Sequence, residues 1–111
     1  MFPAPEIRLP PEVRRGDVIP VYVKFRHPVR TGLEKVAGRF VQAAEPYFIR
    51  VMEARYLGSV VCRYDMTPAL ADNPLVSFKL RAVEEGLVSV AAWDSRGVRT
   101  EAAVALRFAG G

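Results

Sequence analysis

His27 is the one histidine of the sequence and Cys62 the one cysteine, and these two residues bound the chemistry open to the chain. A second imidazole is missing for a two-histidine metal site. A single thiol allows neither a four-cysteine zinc site nor an intrachain disulfide. Ser77, Ser89 and Ser95 offer hydroxyls for a serine–histidine–acid arrangement, but no Gly-x-Ser-x-Gly elbow frames any of them. His27 stands just before Pro28, where it reads as a loop anchor or interface residue and not as a general base. Cys62 shares strand parity with Val60, Tyr64 and Met66, which makes it a structural core thiol. A reactive thiol needs exposure and a cationic neighbour, and Arg63, next in the chain, points to the opposite face of a strand.

Trp93 and Asp94 close an apolar stretch ahead of a turn. They read as core packing plus a turn acid, with an interface role as the alternative. Arg50, Arg55, Arg63, Lys79 and Arg81 fall within strand-like segments, and charges so placed ordinarily make a solvated outer face. The aromatic-plus-basic pattern of an RNA platform is absent, so no nucleic acid is expected. Gly32 and Gly38 are too far apart for a phosphate-cradling loop. No set of residues here can activate a nucleophile, move a proton and stabilise a charge together. Catalytic residues, a metal and a cofactor are therefore all expected to be none.

The elements that must position these residues are strands. Ile19, Val21, Val23 and Phe25 alternate with Tyr22, Lys24 and Arg26 over 18–27, the clearest period of two in the chain, with Pro20 on the outward set. Residues 47–56 and 59–66 read as a hairpin turned at Leu57-Gly58. Val76, Phe78, Leu80 and Ala82 mark a half-buried strand. Leu87 to Asp94 is apolar enough to lie between two neighbours, and Ser95-Arg96-Gly97 turns it into a last strand with Ala102, Val104, Leu106 and Phe108 inward. Residues 1–11, with Pro3, Pro5, Pro10 and Pro11, form an N-terminal arm in which Ile7 and Leu9 can make a short edge strand. Between Pro28 and Pro46 no strong period appears, and this is expected to be the longest loop, with room for short strands or helical turns. About seven short strands with turns every ten residues or so, and no long amphipathic helix, predict an all-β, immunoglobulin-like sandwich.

Composition agrees. A chain of 111 residues, half of them hydrophobic and a quarter charged, suits one domain over 1–111 with a real core. The formal charge of +4 is mild and is explained by a solvated basic surface, with an acidic protein partner as the more specific reading. No run of apolar residues is long enough to span a bilayer, so no membrane association is expected, and the N-terminus has neither the basic nor the apolar part of a secretory signal.

Three blocks in the sequence resemble one family. His27-Pro28-Val29-Arg30-Thr31-Gly32-Leu33-Glu34-Lys35 is similar to the His-Pro-Met-x-Thr-Gly-x-x-Lys segment of SoxZ, the Z subunit of the Sox sulfur-carrier complex. Pro68-Ala69 with Asn73-Pro74 and Phe78 resembles that family's Pro-Ala-x-x-x-Asn-Pro-x-x-x-Phe. Gly86, Val88 and Val90 leading to Trp93-Asp94 and Gly97 resemble its strand and hairpin. Val29 stands where the family usually has Met and Val36 where it has Asp. With Asp94 aligned, the family tryptophan falls on Ala92.

The resemblance implies an immunoglobulin-like, non-catalytic subunit that pairs as a heterodimer with SoxY, whose C-terminal cysteine arm carries covalent intermediates of thiosulfate oxidation, and that meets other Sox enzymes transiently. It also implies a periplasmic or extracytoplasmic location, reached by export with the partner. The partner-facing candidates are the loops: His27, Arg30 and Thr31; Asn73 and Pro74; and Trp93 with Asp94. Two other readings stand beside this one, a thiol carrier or sulfur-handling protein using Cys62 and a generic immunoglobulin-like accessory module.

Overall fold

The computed structural model describes residues 3–26, 33–42, 48–66 and 74–109. Nine strands run in chain order: β1 (Glu6–Arg8), β2 (Val18–Lys24), β3 (Leu33–Val36), β4 (Arg39–Gln42), β5 (Ile49–Tyr56), β6 (Ser59–Asp65), β7 (Leu75–Arg81), β8 (Gly86–Asp94) and β9 (Arg99–Leu106). Seven of them make the two layers, a three-stranded sheet ordered β1-β2-β7 and a four-stranded sheet ordered β6-β5-β8-β9. All neighbours are antiparallel. The result is the all-β, immunoglobulin-like sandwich that the period-two patterning implies. The remaining pair, β3 and β4, is a hairpin inside the stretch expected to be a long loop. Its turn residues Ala37 and Gly38 have φ of 51° and 80°, the left-handed pair of a tight hairpin turn. Ala-Gly is a weaker sequence signal for that turn than Asn-Gly.

One parity of β2, β5, β7 and β8 is dehydrated between the layers. Ile19, Val21, Val23, Phe78 and Leu80 face inward from the three-stranded sheet, and Met52, Ala54, Tyr56, Val88, Val90, Ala92 and Leu106 from the four-stranded one. Burying each large side chain of this set contributes roughly 1.5–3 kcal/mol. Strand β8 reads as expected, central and paired on both edges, with Val88, Val90 and Ala92 fully buried.

Pro20 is accommodated by where β1 stops. The N–H of Phe25 donates to Pro74 O at 2.9 Å, so the odd residues of β2 face β7 and the even ones face β1. The last pair of β1 with β2 is Arg8 with Tyr22, and Pro20, which lacks an N–H, lies beyond it.

Two irregularities redirect side chains. The register of β5 with β6 goes from Ala54–Cys62 to Arg55–Val60, which leaves Val61 as a bulge. Val60, expected to share a face with Cys62, instead lies opposite Arg55 on the outer face and is 51% exposed. Against β8, Ile49 pairs with Asp94 and Val51 with Trp93, so Arg50 is the extra residue there.

The margins are closed unequally. The N–H of Ala109 donates to Val13 O at 2.9 Å, which ties the end of the chain to the arm beside β1 and β9. On the opposite margin, among the described residues, neither β6 nor β7 has an outer neighbour. The Tyr64 hydroxyl, donating to Ser77 O at 2.7 Å, crosses between them. At one end Tyr56, 5% exposed, accepts the N–H groups of Val83 and Glu84 at 3.2 and 3.0 Å and donates to Glu84 O. Because this buried hydroxyl serves three backbone groups, Tyr56→Phe is expected to cost about 1–3 kcal/mol. Urea unfolding should show a lower midpoint with an unchanged slope.

Candidate partner-binding surface

The outward parity of the four-stranded sheet follows directly from its register. Across β6, β5, β8 and β9 one row reads Asp65, Val51, Trp93, Arg99; the next Arg63, Glu53, Ala91, Glu101; the next Val60, Arg55, Ser89, Ala103. Ser89 and Ala91 are small, so the middle of the face is a shallow floor. Trp93 stands at one end of that floor. A hollow of about 270 Å³ lies over Ser89 and Ala91 between Trp93, Arg55, Glu53, Arg99 and Glu101. A second, of about 420 Å³, lies on the other side of the indole among Arg50, Val51, Arg63, Asp65 and Gly97.

Trp93 is therefore not a core residue. Its neighbours Ala92 and Asp94 take the inward positions, and the indole is half-buried on the outer face. Position 92, which the family pattern assigns to tryptophan, holds a fully buried alanine. A shift of one residue along a strand carries a side chain through the sheet. The Arg99 guanidinium lies 5.6 Å from the indole centre, a contact worth ~0.5–1 kcal/mol at an exposed site.

The charges in these three rows neutralise one another, and Arg50 in the second hollow adds one positive charge. Arg55 pairs with Glu53 at 2.9 Å and Arg63 with Asp65 at 3.7 Å, and Arg99 pairs with Glu101. Each pair joins residues two apart on one strand, and so on one side of the sheet. Such exposed pairs add little stability. They leave a nearly neutral rim around an aromatic and small-residue centre, the composition of a protein-binding patch.

The other partner-facing candidates separate into two groups. His27, Arg30, Thr31 and Asn73 lie outside the described residues. Pro74 is buried, and its carbonyl holds the end of β2 through Phe25. Asp94, 2% exposed, is a turn acid: Oδ1 accepts the N–H of Arg96 and of Val98, each at 2.9 Å. The turn it organises is further tied to the chain before β5, because Ser95 N–H donates to Phe48 O at 2.8 Å. Pro74 and Asp94 thus build the framework of the surface, and Asp94 also lines the second hollow. The sequence signal that could have located the hollow is the Ser89-x-Ala91-x-Trp93 alternation, small residues on the outward parity of a central strand.

Cys62 lies opposite Ala54 on the inward parity, yet it is only half-buried, packed against the core from the open β6 margin. The expected core thiol is thus at the rim of the interior, on a strand that has no outer neighbour among the described residues. Burial pushes its thiol up, with a hydrogen bond to Tyr64 pulling the other way. Among the described residues no group of three or more His, Cys, Asp or Glu is gathered as metal ligands would be.

A family model described as "Sulphur oxidation protein SoxZ" matches residues 7–105. No curated protein sequence matches the chain. Among solved structures, superoxide reductase (neelaredoxin) from Ignicoccus hospitalis superposes with a TM-score of 0.72 at 18% identity, covering 96% of this chain and 81% of that one. A putative superoxide reductase from Thermotoga maritima gives 0.69 at 13% identity, covering 97% and 87%. The sulfur carrier protein SoxY from Chlorobium limicola f thiosulfatophilum gives 0.64 at 17% identity, covering 97% and 86%. At these identities the likeness is one of fold alone.

Two outcomes follow from this geometry. Asp94→Ala strands two backbone N–H groups and should cost about 1–3 kcal/mol in chemical unfolding, whereas Trp93→Ala, on the outer face, should cost less. The raised Cys62 thiol should react slowly with iodoacetamide in the native protein at pH 7, and faster as pH rises through and above the ordinary thiol range of about 8.5. Rates equal to those of a free thiol at every pH would contradict the placement.

Proposed function

The chain belongs to the SoxZ family of sulphur oxidation proteins, and from that membership we propose that it is a non-catalytic scaffold that holds a SoxY-like sulfur-carrier subunit as a heterodimer. Its place in the Sox system of sulfur oxidation comes with the family. The scaffold role is supported by one observation above others: the near-neutral outer face of the four-stranded sheet, with Trp93 beside the Ser89 and Ala91 floor. A large amphipathic ring next to small residues is the kind of anchor-and-pocket arrangement that concentrates binding energy in protein interfaces. A rigid body of this kind fixes the carrier's globular part while the carrier's cysteine arm stays free to visit other enzymes.

Ser95, Asp94 and Cys62 support a non-catalytic role. The hydroxyl of Ser95 accepts the Phe48 N–H at 3.3 Å, a turn-fixing bond. Asp94 accepts two backbone N–H groups of its turn, and burial pushes the Cys62 thiol up. A thiol carrier would need the opposite shift. We further propose that the chain works outside the cytoplasm, exported on its signal-bearing partner. Fractionating cells that express the chain with and without that partner tests this: equal periplasmic recovery in both would overturn it.

Co-expression with a SoxY-like chain is expected to yield a stable 1:1 complex, measurable by multi-angle light scattering. Trp93→Ala is expected to weaken it by about 2 kcal/mol or more, the loss typical of a central aromatic anchor. Absence of any complex would reject the scaffold role. An intact complex with unchanged affinity in Trp93→Ala would move the interface away from this face.

A further inference from the structure

The opposite outer face has a different character. On the three-stranded sheet Tyr22, Lys24, Leu75 and Lys79 point outward from β2 and β7, and Arg8 from β1. Tyr22 is 45% exposed and Leu75 63%. Leu75 pairs with Lys24 and Tyr22 with Ser77 across β2 and β7, so the two apolar residues are diagonal neighbours. A hollow of about 370 Å³ lies between them, bordered by Glu6, Arg8 and Lys24.

Charge separates the two faces. Each arginine of the β6-β5-β8-β9 rows has an acid two residues away on its own strand. Here Glu6 is the single acid on the strands, and it is already bonded to Arg8 at 2.7 Å. Arg8 is the main cause that holds the Glu6 carboxyl below the usual carboxylate range, and Lys24 and Arg26 act on it in the same direction. The site is therefore positive overall. Lys24 and Lys79 stand on the outward parity at exposed positions, and no ion pair among the described residues engages either of them.

We propose that this face, with Tyr22 and Leu75 at its centre and Lys24, Lys79 and Arg8 around them, is a second docking surface that takes the acidic surface of a visiting protein. Exposed unpaired cations gain little static affinity, but they steer an oppositely charged partner and speed its encounter. The exposed tyrosine and leucine supply the dry contact that a purely electrostatic surface lacks. Nucleic acid fits less well, because one tyrosine is no stacking platform and Glu6 sits among the cations. The face is on the sheet opposite Trp93, so one protein can be held while another visits.

Fluorescence anisotropy on the isolated full chain tests this, and its result does not depend on carrier pairing. The probes are a fluorescein-labelled, glutamate-rich peptide containing tyrosine, a single-stranded DNA oligonucleotide of equal charge, and phosphatidylserine vesicles. The peptide should bind at low salt and weaken steeply towards physiological salt. Lys24→Glu combined with Lys79→Glu should weaken it about tenfold or more, while Arg107→Glu, exposed beyond β9, should change it by less than about twofold. If the double reversal fails to fold, Lys24→Gln with Lys79→Gln replaces it, with a smaller loss in the same direction. The proposal is overturned if the peptide does not bind, if Arg107→Glu matters as much, or if DNA or vesicles bind more tightly than the peptide. It is equally overturned if the lysine variants lose the carrier subunit, since the face would then belong to the permanent interface.

Discussion

Val21, Val23, Phe25, Met52, Val88 and Val90 have no exposed surface, and the exclusion of water from the layer they fill is the constraint on which the rest of the molecule depends. In a strand, alternate residues point to opposite sides. Once one parity of β2 and β8 is committed to the interior, the other parity is committed to solvent. Tyr22 and Lys24 are thereby placed outside on one sheet, and Ser89, Ala91 and Trp93 outside on the other. The two outer faces are by-products of a single packing decision.

Within that constraint the bulges supply local freedom. The extra residue at Val61 carries Val60 from the inward to the outward side, and the one at Arg50 lets Ile49 and Val51 face opposite ways. The edge position of β6 among the described strands matters as much. It leaves Cys62 in contact with the core but not sealed within it, so that the thiol's environment is set by a sheet edge and not by its strand parity alone.

The likeness to superoxide reductases and to SoxY at 13–18% identity shows one sandwich serving proteins of different name. Fold and function separate here in the usual way: the layers confer shape and the sites placed on them confer use. In this SoxZ family member the outer faces differ in charge more than in shape. Around Trp93 the ion pairs along β5, β6 and β9 cancel, while around Tyr22 the cations outnumber Glu6. A neutral, aromatic surface suits lasting contact, and a cationic one suits brief encounters.

Amino-acid order alone determined the strand count of the two layers, the inward parity of β2, β7 and β9, the turns at Leu57-Gly58 and Ser95-Gly97, and the family, because period-two alternation and motif order are local and survive without a structure. The same order made Asp94 legible as a turn acid. Tertiary structure decided which side of a sheet Trp93 and Val60 occupy, that β3 and β4 form a hairpin, and that Cys62 stops at the rim. Those outcomes depend on register, bulges and missing neighbours, and a pairing between distant strands leaves no periodic trace in either one. The charge difference between the faces was likewise out of reach: Arg8, Lys24 and Lys79 are far apart in the chain, and only the pairing of β1, β2 and β7 sets them side by side.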